Sequence, residues 1–159
     1  YVWGGIPGKG DPGGNWDCSG LTYWVDQNYG NGSLPMGSHY QYDYAQKTGQ
    51  LFSDTNQLQP GDLVFFNTGW QGGAGSELNG AGHVAMYIGN GKMIHAANPS
   101  QGTIVSDFAS YAPSNGYQYM GAMHMSFSGG AAGVPGMTGQ TQSPSTGPGW
   151  WQSFMSHFG

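Results

Sequence analysis

The sequence predicts a single folded domain that mixes helices with strands. Three observations lead there. Apolar residues at helical spacing come first, strand-like runs take over from residue 62, and the stretch over 127–149 is too poor in large apolar side chains to build a core. Residues 1–14 are rich in glycine and proline and read as loop. Helical spacing then begins at Cys18: Leu21, Trp24, Val25 and Asn28 recur every three or four residues, and Gly30 ends the pattern. Residues 38–48 form a second, shorter helical candidate with Tyr40, Tyr44 and Ala45 on one side. A turn closing on Pro60-Gly61 launches residues 62–66, an apolar run suited to a buried strand. A polar, glycine-rich loop over 69–82 precedes strands at 83–88 and 92–96, and a further strand pair is expected at 103–108 and 117–125.

Composition narrows the function classes. Net charge is −5, with three lysines, no arginine and eight carboxylates, so there is no basic stripe to neutralise nucleic-acid phosphates. No apolar run approaches a membrane span, and the first residues lack the charged-then-apolar pattern of a signal peptide. The chain starts at Tyr1 rather than Met, as expected of a piece excised from a longer protein. Only 7% of residues are charged while Gly reaches 31, Tyr ten, Phe seven and Trp six. Disordered chains are poor in aromatics, so residues 1–126 are expected to fold. Residues 127–149 are almost wholly small and polar, as in a flexible linker. Trp150, Trp151, Phe154, Met155 and Phe158 then make an aromatic tail over 150–159, read as the start of a further segment or a stretch that docks on a partner or neighbouring domain.

Cys18 is the only cysteine, in the run Asn15-Trp16-Asp17-Cys18-Ser19-Gly20-Leu21. A lone thiol makes no intramolecular disulfide, but it serves as a nucleophile if a histidine reaches it. Its place in the first turn of a helix exposes it to unpaired N–H groups and the positive dipole end, which favour thiolate. Most unpaired cysteines are simply small buried apolar residues. The position between an acid and a Ser-Gly pair, outside any apolar run, argues for catalysis instead.

The histidines follow in Gly82-His83-Val84-Ala85-Met86-Tyr87-Ile88-Gly89-Asn90-Gly91-Lys92-Met93-Ile94-His95. A three-residue loop at Gly89-Asn90-Gly91 pairs Ile88 with Lys92 and Ala85 with His95. His83, Ala85, Tyr87, Met93, His95 and Ala97 then share one face, with the two imidazoles as diagonal neighbours. A two-residue loop would pair Met86 with His95 and separate the histidines. Two histidines on a face also suit a metal, with Cys18, His39 or nearby acids as a third ligand, but no short-spaced ligand pair such as H-x-x-x-H accompanies them.

These residues resemble the NlpC family of papain-like cell-wall peptidases of bacteria and their phages. The resemblance runs through Tyr1-Val2-Trp3-Gly4-Gly5, Asp17-Cys18-Ser19-Gly20-Leu21 and Gln59-Pro60-Gly61-Asp62-Leu63-Val64-Phe65-Phe66. It continues through Gly82–Gly91 and Met93-Ile94-His95-Ala96. Four motifs in family order over about two-thirds of the chain are specific where a DCSG alone is weak. The resemblance implies an α+β papain-like fold with the nucleophile's helix packed on a central antiparallel sheet. It also implies a cofactor-free endopeptidase acting on peptidoglycan stem peptides, commonly between D-glutamate and the diamino acid (diaminopimelate or lysine). Cys18 then attacks the carbonyl, His83 exchanges the proton, His95 orients His83, and the Cys18 N–H joins the oxyanion hole. Tyr1, Asp17 and Ser19 match positions that hold substrate or oxyanion in the family; Asp17 serves equally well as a helix cap. No metal is implied. The implied place of action is the cell wall, reached by secretion or from a phage particle such as a tail.

The chain departs from the family pattern in three ways. The stretch between Gly5 and Asp17 is long and includes Gly8-Lys9-Gly10-Asp11, the loop over 69–82 is long, and no arginine is available to clamp a substrate carboxylate. Lys9, Lys47 or Lys92 would have to take that role. Two other readings fit the same chain: an N-acetylmuramoyl-L-alanine amidase on the same fold, and a wall-binding module without hydrolytic activity.

Overall fold

The computed structural model describes residues 1–5, 16–69 and 80–127. The expected insertion at Gly8–Asp11, most of the loop over 69–82, the linker from residue 128 and the aromatic tail lie outside the described residues, whereas Phe127, expected to open the linker, is buried in the core and bridged to Gly30.

Helix α1 spans Cys18–Tyr29. Asp17 caps it, its side chain accepting from the Gly20 N–H at 2.8 Å. Leu21, Trp24 and Val25 form its buried stripe, each contributing roughly 1.5–3 kcal/mol as an upper figure. Gly20 has to be glycine, because a Cβ there would collide with the Gly5 carbonyl and the Trp16 side chain. That contact ties the N-terminal segment to the first turn of α1, as does the Val2 N–H donated to the Trp16 carbonyl at 2.9 Å. Helix α2 spans Ser38–Lys47 and buries Gln41, Tyr42 and Ala45. Gln41, buried in an interhelical position, satisfies its amide through Thr22 Oγ1, the Ser19 carbonyl and the Pro35 carbonyl.

Six strands follow: β1 Leu51–Phe52, β2 Leu63–Asn67, β3 His83–Gly89, β4 Lys92–Asn98, β5 Gly102–Asp107 and β6 Gln118–Met123. They form one sheet in the order β1-β6-β2-β3-β4-β5, with antiparallel neighbours throughout. A third helix, α3 Phe108–Asn115, lies between β5 and β6 in sequence. Alternation along β2 sends Leu63 and Phe65 to a core shared with α1 and α2, and Val64 and Phe66 to a second core that includes Ala112 of α3. Both faces of the sheet are therefore covered. The architecture is α+β, with α1 packed on the antiparallel sheet, as expected.

Two expectations need correction. The runs at 103–108 and 117–125 are strands but do not pair with each other: β5 takes the edge beside β4, and β6 inserts between β1 and β2. The reason is α3, which carries the chain from one side of the sheet to the other. Pro113 inside it masks the helix in the sequence. Its end is marked by Gly116 in the left-handed region.

The β3–β4 hairpin is the second correction. Its turn is the two residues Asn90-Gly91, both at positive φ (54° and 72°), with Gly89 opposite Lys92. A bulge between Tyr87 and Gly89, with Gly89 at φ 89°, then absorbs one residue, and Tyr87 pairs with Met93. The two-residue turn was expected to separate the histidines. The bulge restores the register of the three-residue alternative, so His83 and His95 share a face after all.

Candidate active site

Cys18 opens α1 and is 9% exposed. The backbone at Val84, the residue after His83, hydrogen-bonds its sulfur. A cavity of about 280 Å³ lies over this helix start, with Trp3, Asp17, Cys18, Ser19, Met36 and His39 in its wall. The helix terminus was expected to favour thiolate. In the fold, burial outweighs it: desolvation first, then the Asp17 charge, push the thiol up to about 12, against backbone hydrogen bonds that pull it down.

His83 Nε2 and His95 Nδ1 are 2.8 Å apart, and His95 Nε2 lies 2.8 Å from Ser106 Oγ of β5. Both imidazoles are buried, at 6% and 1% exposure. The chain of contacts restricts the tautomers. If His83 is to accept a proton at Nδ1, its Nε2 must carry hydrogen and donate to His95 Nδ1. His95 then carries its proton on Nε2 and donates to the Ser106 hydroxyl oxygen. Ser106 is thus the far end of a three-member chain of hydrogen bonds. Burial, followed by the neighbouring His95, pulls His83 down to about 3, and burial pulls His95 down to about 4. Burial thus favours the neutral thiol and the neutral imidazoles. Tyr111 of α3 backs the pair, stacked on His83 (centroids 5.5 Å, 27°) and edge-on to His95 (4.9 Å, 78°).

The other expected residues divide. Asp17 is committed to structure: Oδ1 accepts from Gly20 N–H and from Ser19 Oγ at 2.9 Å, and Oδ2 accepts from Gly4 N–H at 3.0 Å. The cap is the role the geometry gives it, although it also lines the cavity. Ser19 lines the cavity while its hydroxyl is held by Asp17. Tyr1 packs against the core close enough to Cys18 and Asp17 for their charges to raise its phenol, after burial, to about 12. It is not among the cavity's lining residues.

Of the lysines considered as carboxylate clamps, Lys92 is ion-paired with Asp107, Lys47 sits in the last turn of α2, and Lys9 lies outside the described residues. His39 takes the cavity wall where a cation was sought. His124 is elsewhere, bonded through Nδ1 to buried Asp62 at 2.8 Å. Among the described residues no group of three or more His, Cys, Asp or Glu is arranged around a metal position.

Sequence reasoning missed Ser106 and Tyr111. The signal for Ser106 was alternation: His95 pairs with Ile104, which puts Ser106 on the same face one step along. It became readable only once β5 was known to pair with β4. Tyr111 rides on the helix that Pro113 disguised.

Comparison with known proteins bears on the family and the fold. The sequence profile described as the NlpC/P60 family matches residues 1–121. "Probable endopeptidase p60" of Listeria seeligeri is 38% identical over 96 residues, 60% of this chain and 14% of that protein. "Gamma-D-glutamyl-L-lysine dipeptidyl-peptidase" of Bacillus cereus is also 38% identical over 96 residues, 60% of this chain and 24% of that protein. The chain therefore spans a quarter or less of these relatives' lengths. Among solved structures, the NlpC/p60 domain of the peptidoglycan hydrolase SagA superposes with a TM-score of 0.52 at 28% identity, covering 77% of this chain and 84% of that one. The peptidoglycan hydrolase RipB of Mycobacterium tuberculosis gives 0.51 at 27%, covering 77% and 55%. With a profile match over well more than half of its residues and the same α+β fold, the chain belongs to the NlpC/P60 family.

Proposed function

We propose that residues 1–127 form the catalytic domain of a cysteine endopeptidase that hydrolyses peptide bonds in peptidoglycan stem peptides, at the bond between D-glutamate and the diamino acid. The observation that carries this reading is the 2.8 Å contact between His83 Nε2 and His95 Nδ1, beside the strand residue whose backbone bonds the only thiol in the chain. That contact leaves His83 Nδ1 as the free basic nitrogen.

In the mechanism, Cys18 Sγ bonds to the carbonyl carbon of the γ-D-glutamyl group as its proton passes to His83 Nδ1. The carbonyl oxygen becomes an oxyanion received by the Cys18 N–H. Collapse breaks the C–N bond, and His83 returns the proton to the leaving amine. Water, deprotonated by His83, then releases the acyl group and regenerates the thiol. His95 holds the His83 tautomer and spreads the transient positive charge, with Ser106 anchoring His95. Asp17 and Ser19, which line the cavity, help hold the substrate or the oxyanion, with Tyr1 beside Cys18 and Asp17. The D-glutamyl assignment is supported by the relative named for γ-D-glutamyl-L-lysine cleavage. The protein acts on the cell wall from outside the cell, as a secreted hydrolase or within a phage particle, with residues 128–149 as the linker between the domain, which includes buried Phe127, and the aromatic tail over 150–159.

Mass spectrometry of muropeptides released from defined lysine- and diaminopimelate-type peptidoglycans tests this. Fragments ending at D-glutamate support it. Release of intact stems from the glycan would make the chain an amidase instead, and no release would leave a wall-binding module.

A further inference from the structure

A second cavity, of about 270 Å³, lies on the far side of His95 from His83. None of the residues lining the Cys18 cavity lines it. Its wall comes from the end of β4, from β5, from α3 and from Tyr117 just ahead of β6. Its polar side chains are amides and hydroxyls, from Asn98, Gln101, Ser106, Tyr111, Asn115 and Tyr117, beside the His95 imidazole. Among the described residues no Asp, Glu, Lys or Arg lines it, and the amides and hydroxyls suit a neutral ligand.

The internal hydrogen bonds leave capacity. Asn98 Nδ2 donates to Gln101 Oε1 at 2.8 Å, which occupies that oxygen and spares Gln101 Nε2. Asn115 Nδ2 donates to the Tyr111 carbonyl at 2.8 Å, which spares Asn115 Oδ1. Among the described residues neither tyrosine hydroxyl of this cavity has a hydrogen-bond partner. A donor amide, an acceptor amide and two phenols therefore surround a space just below the roughly 300–1,000 Å³ of pockets that hold drug-sized ligands. A neutral ring bearing hydroxyl groups and one amide fits this chemistry: the hydroxyls pair with phenol and amide groups, and an acetamido group meets Gln101 and Asn115.

We propose that this cavity binds an uncharged N-acetylated sugar ring, as found in the glycan strand of peptidoglycan. The choice of an acetamido sugar rests on the peptidoglycan reading above; the neutral, hydroxyl-rich character of the ligand rests on the cavity. An occupant would touch Ser106, the outer end of the chain of hydrogen bonds.

The test is NMR titration of the intact chain with N,N′-diacetylchitobiose, with cellobiose as the disaccharide lacking acetamido groups. Saturable shifts of the Gln101 and Asn115 side-chain amides by the acetylated sugar only are expected. Gln101→Ala removes an exposed side chain, and Tyr117→Phe keeps the ring while removing the hydroxyl. Each should weaken binding about fivefold, the size of one net hydrogen bond, with an unchanged thermal melt. Absence of saturable shifts, an equal response to cellobiose, or unchanged binding in both variants overturns the proposal. Cleavage of a soluble stem peptide by the same wild-type sample separates the two readings: cleavage without sugar binding removes the second site alone, and sugar binding without cleavage removes the peptidase reading alone.

Discussion

Replacing His95 by Gln changes how stability depends on pH, and the size of the change follows from its burial. His95 titrates near 6.5 when unfolded and is pulled down to about 4 in the fold. Below 6.5 the unfolded chain takes up a proton that the folded chain refuses, so this histidine's contribution is full above pH 6.5 and is lost as pH falls toward 4. At about 1.4 kcal/mol per unit, the loss is on the order of 3 kcal/mol. Other groups titrate in the same window. His83 is depressed in the same direction, while His124 is raised chiefly by its bond to Asp62 and stabilises the fold on the acid side. Asp26 and Asp62 are raised by burial. All of these are common to wild type and His95→Gln, so the difference between the two isolates His95, apart from its secondary influence on His83. Urea unfolding followed by tryptophan fluorescence from neutral pH down to about pH 4 measures it. The wild type should lose roughly 3 kcal/mol more than the variant over that range. Parallel pH profiles would refute the claim that His95 is held neutral by burial.

The histidines should also differ in catalysis. His83→Ala should cost on the order of a hundredfold to ten-thousandfold, as loss of a general base does, while His95→Asn, which keeps a hydrogen-bonding group toward His83, retains measurable activity and His95→Ala loses more; steady-state assays on a soluble stem peptide decide it. EDTA should leave the rate unchanged, and added zinc should inhibit by capturing thiol and imidazole; loss in EDTA reversed by metal would replace the thiol mechanism with a metal one. Deleting residues 129–159 should leave cleavage of small stem peptides intact, and unfolding or loss of cleavage on deletion would move the domain boundary.

The legible and illegible parts of the sequence divide along physical lines. The helix at Cys18–Tyr29 was plain because cap, apolar stripe and terminating glycine agree, and its bounds match. The strand at Leu63–Asn67 was plain because an apolar run launched by Pro60-Gly61 has few other fates. The histidine face was legible for an incomplete reason: the loop length alone predicted the wrong pairing for the turn that forms, and the glycine bulge at Gly89 corrected it. A glycine beside a turn does not reveal whether it belongs to the loop or to a bulge. Strand order was not legible, since a helix hidden by Pro113 separates β5 from β6. That concealed Ser106 and Tyr111, both of which depend on long-range packing. At Cys18 two effects oppose each other: helix position, local and visible in sequence, favours thiolate, whereas desolvation, a property of the assembled site, favours thiol.

Intact-mass spectrometry of a quenched reaction addresses the nucleophile most directly. Wild-type chain mixed briefly with a stem peptide and acid-quenched should carry one acyl adduct with the mass of the fragment ending in D-glutamate, localised to Cys18 by digestion, and Cys18→Ala should carry none. Turnover with no adduct in the wild type, together with cleavage by Cys18→Ala above a few per cent of its rate, would contradict the assignment of Cys18 as the nucleophile.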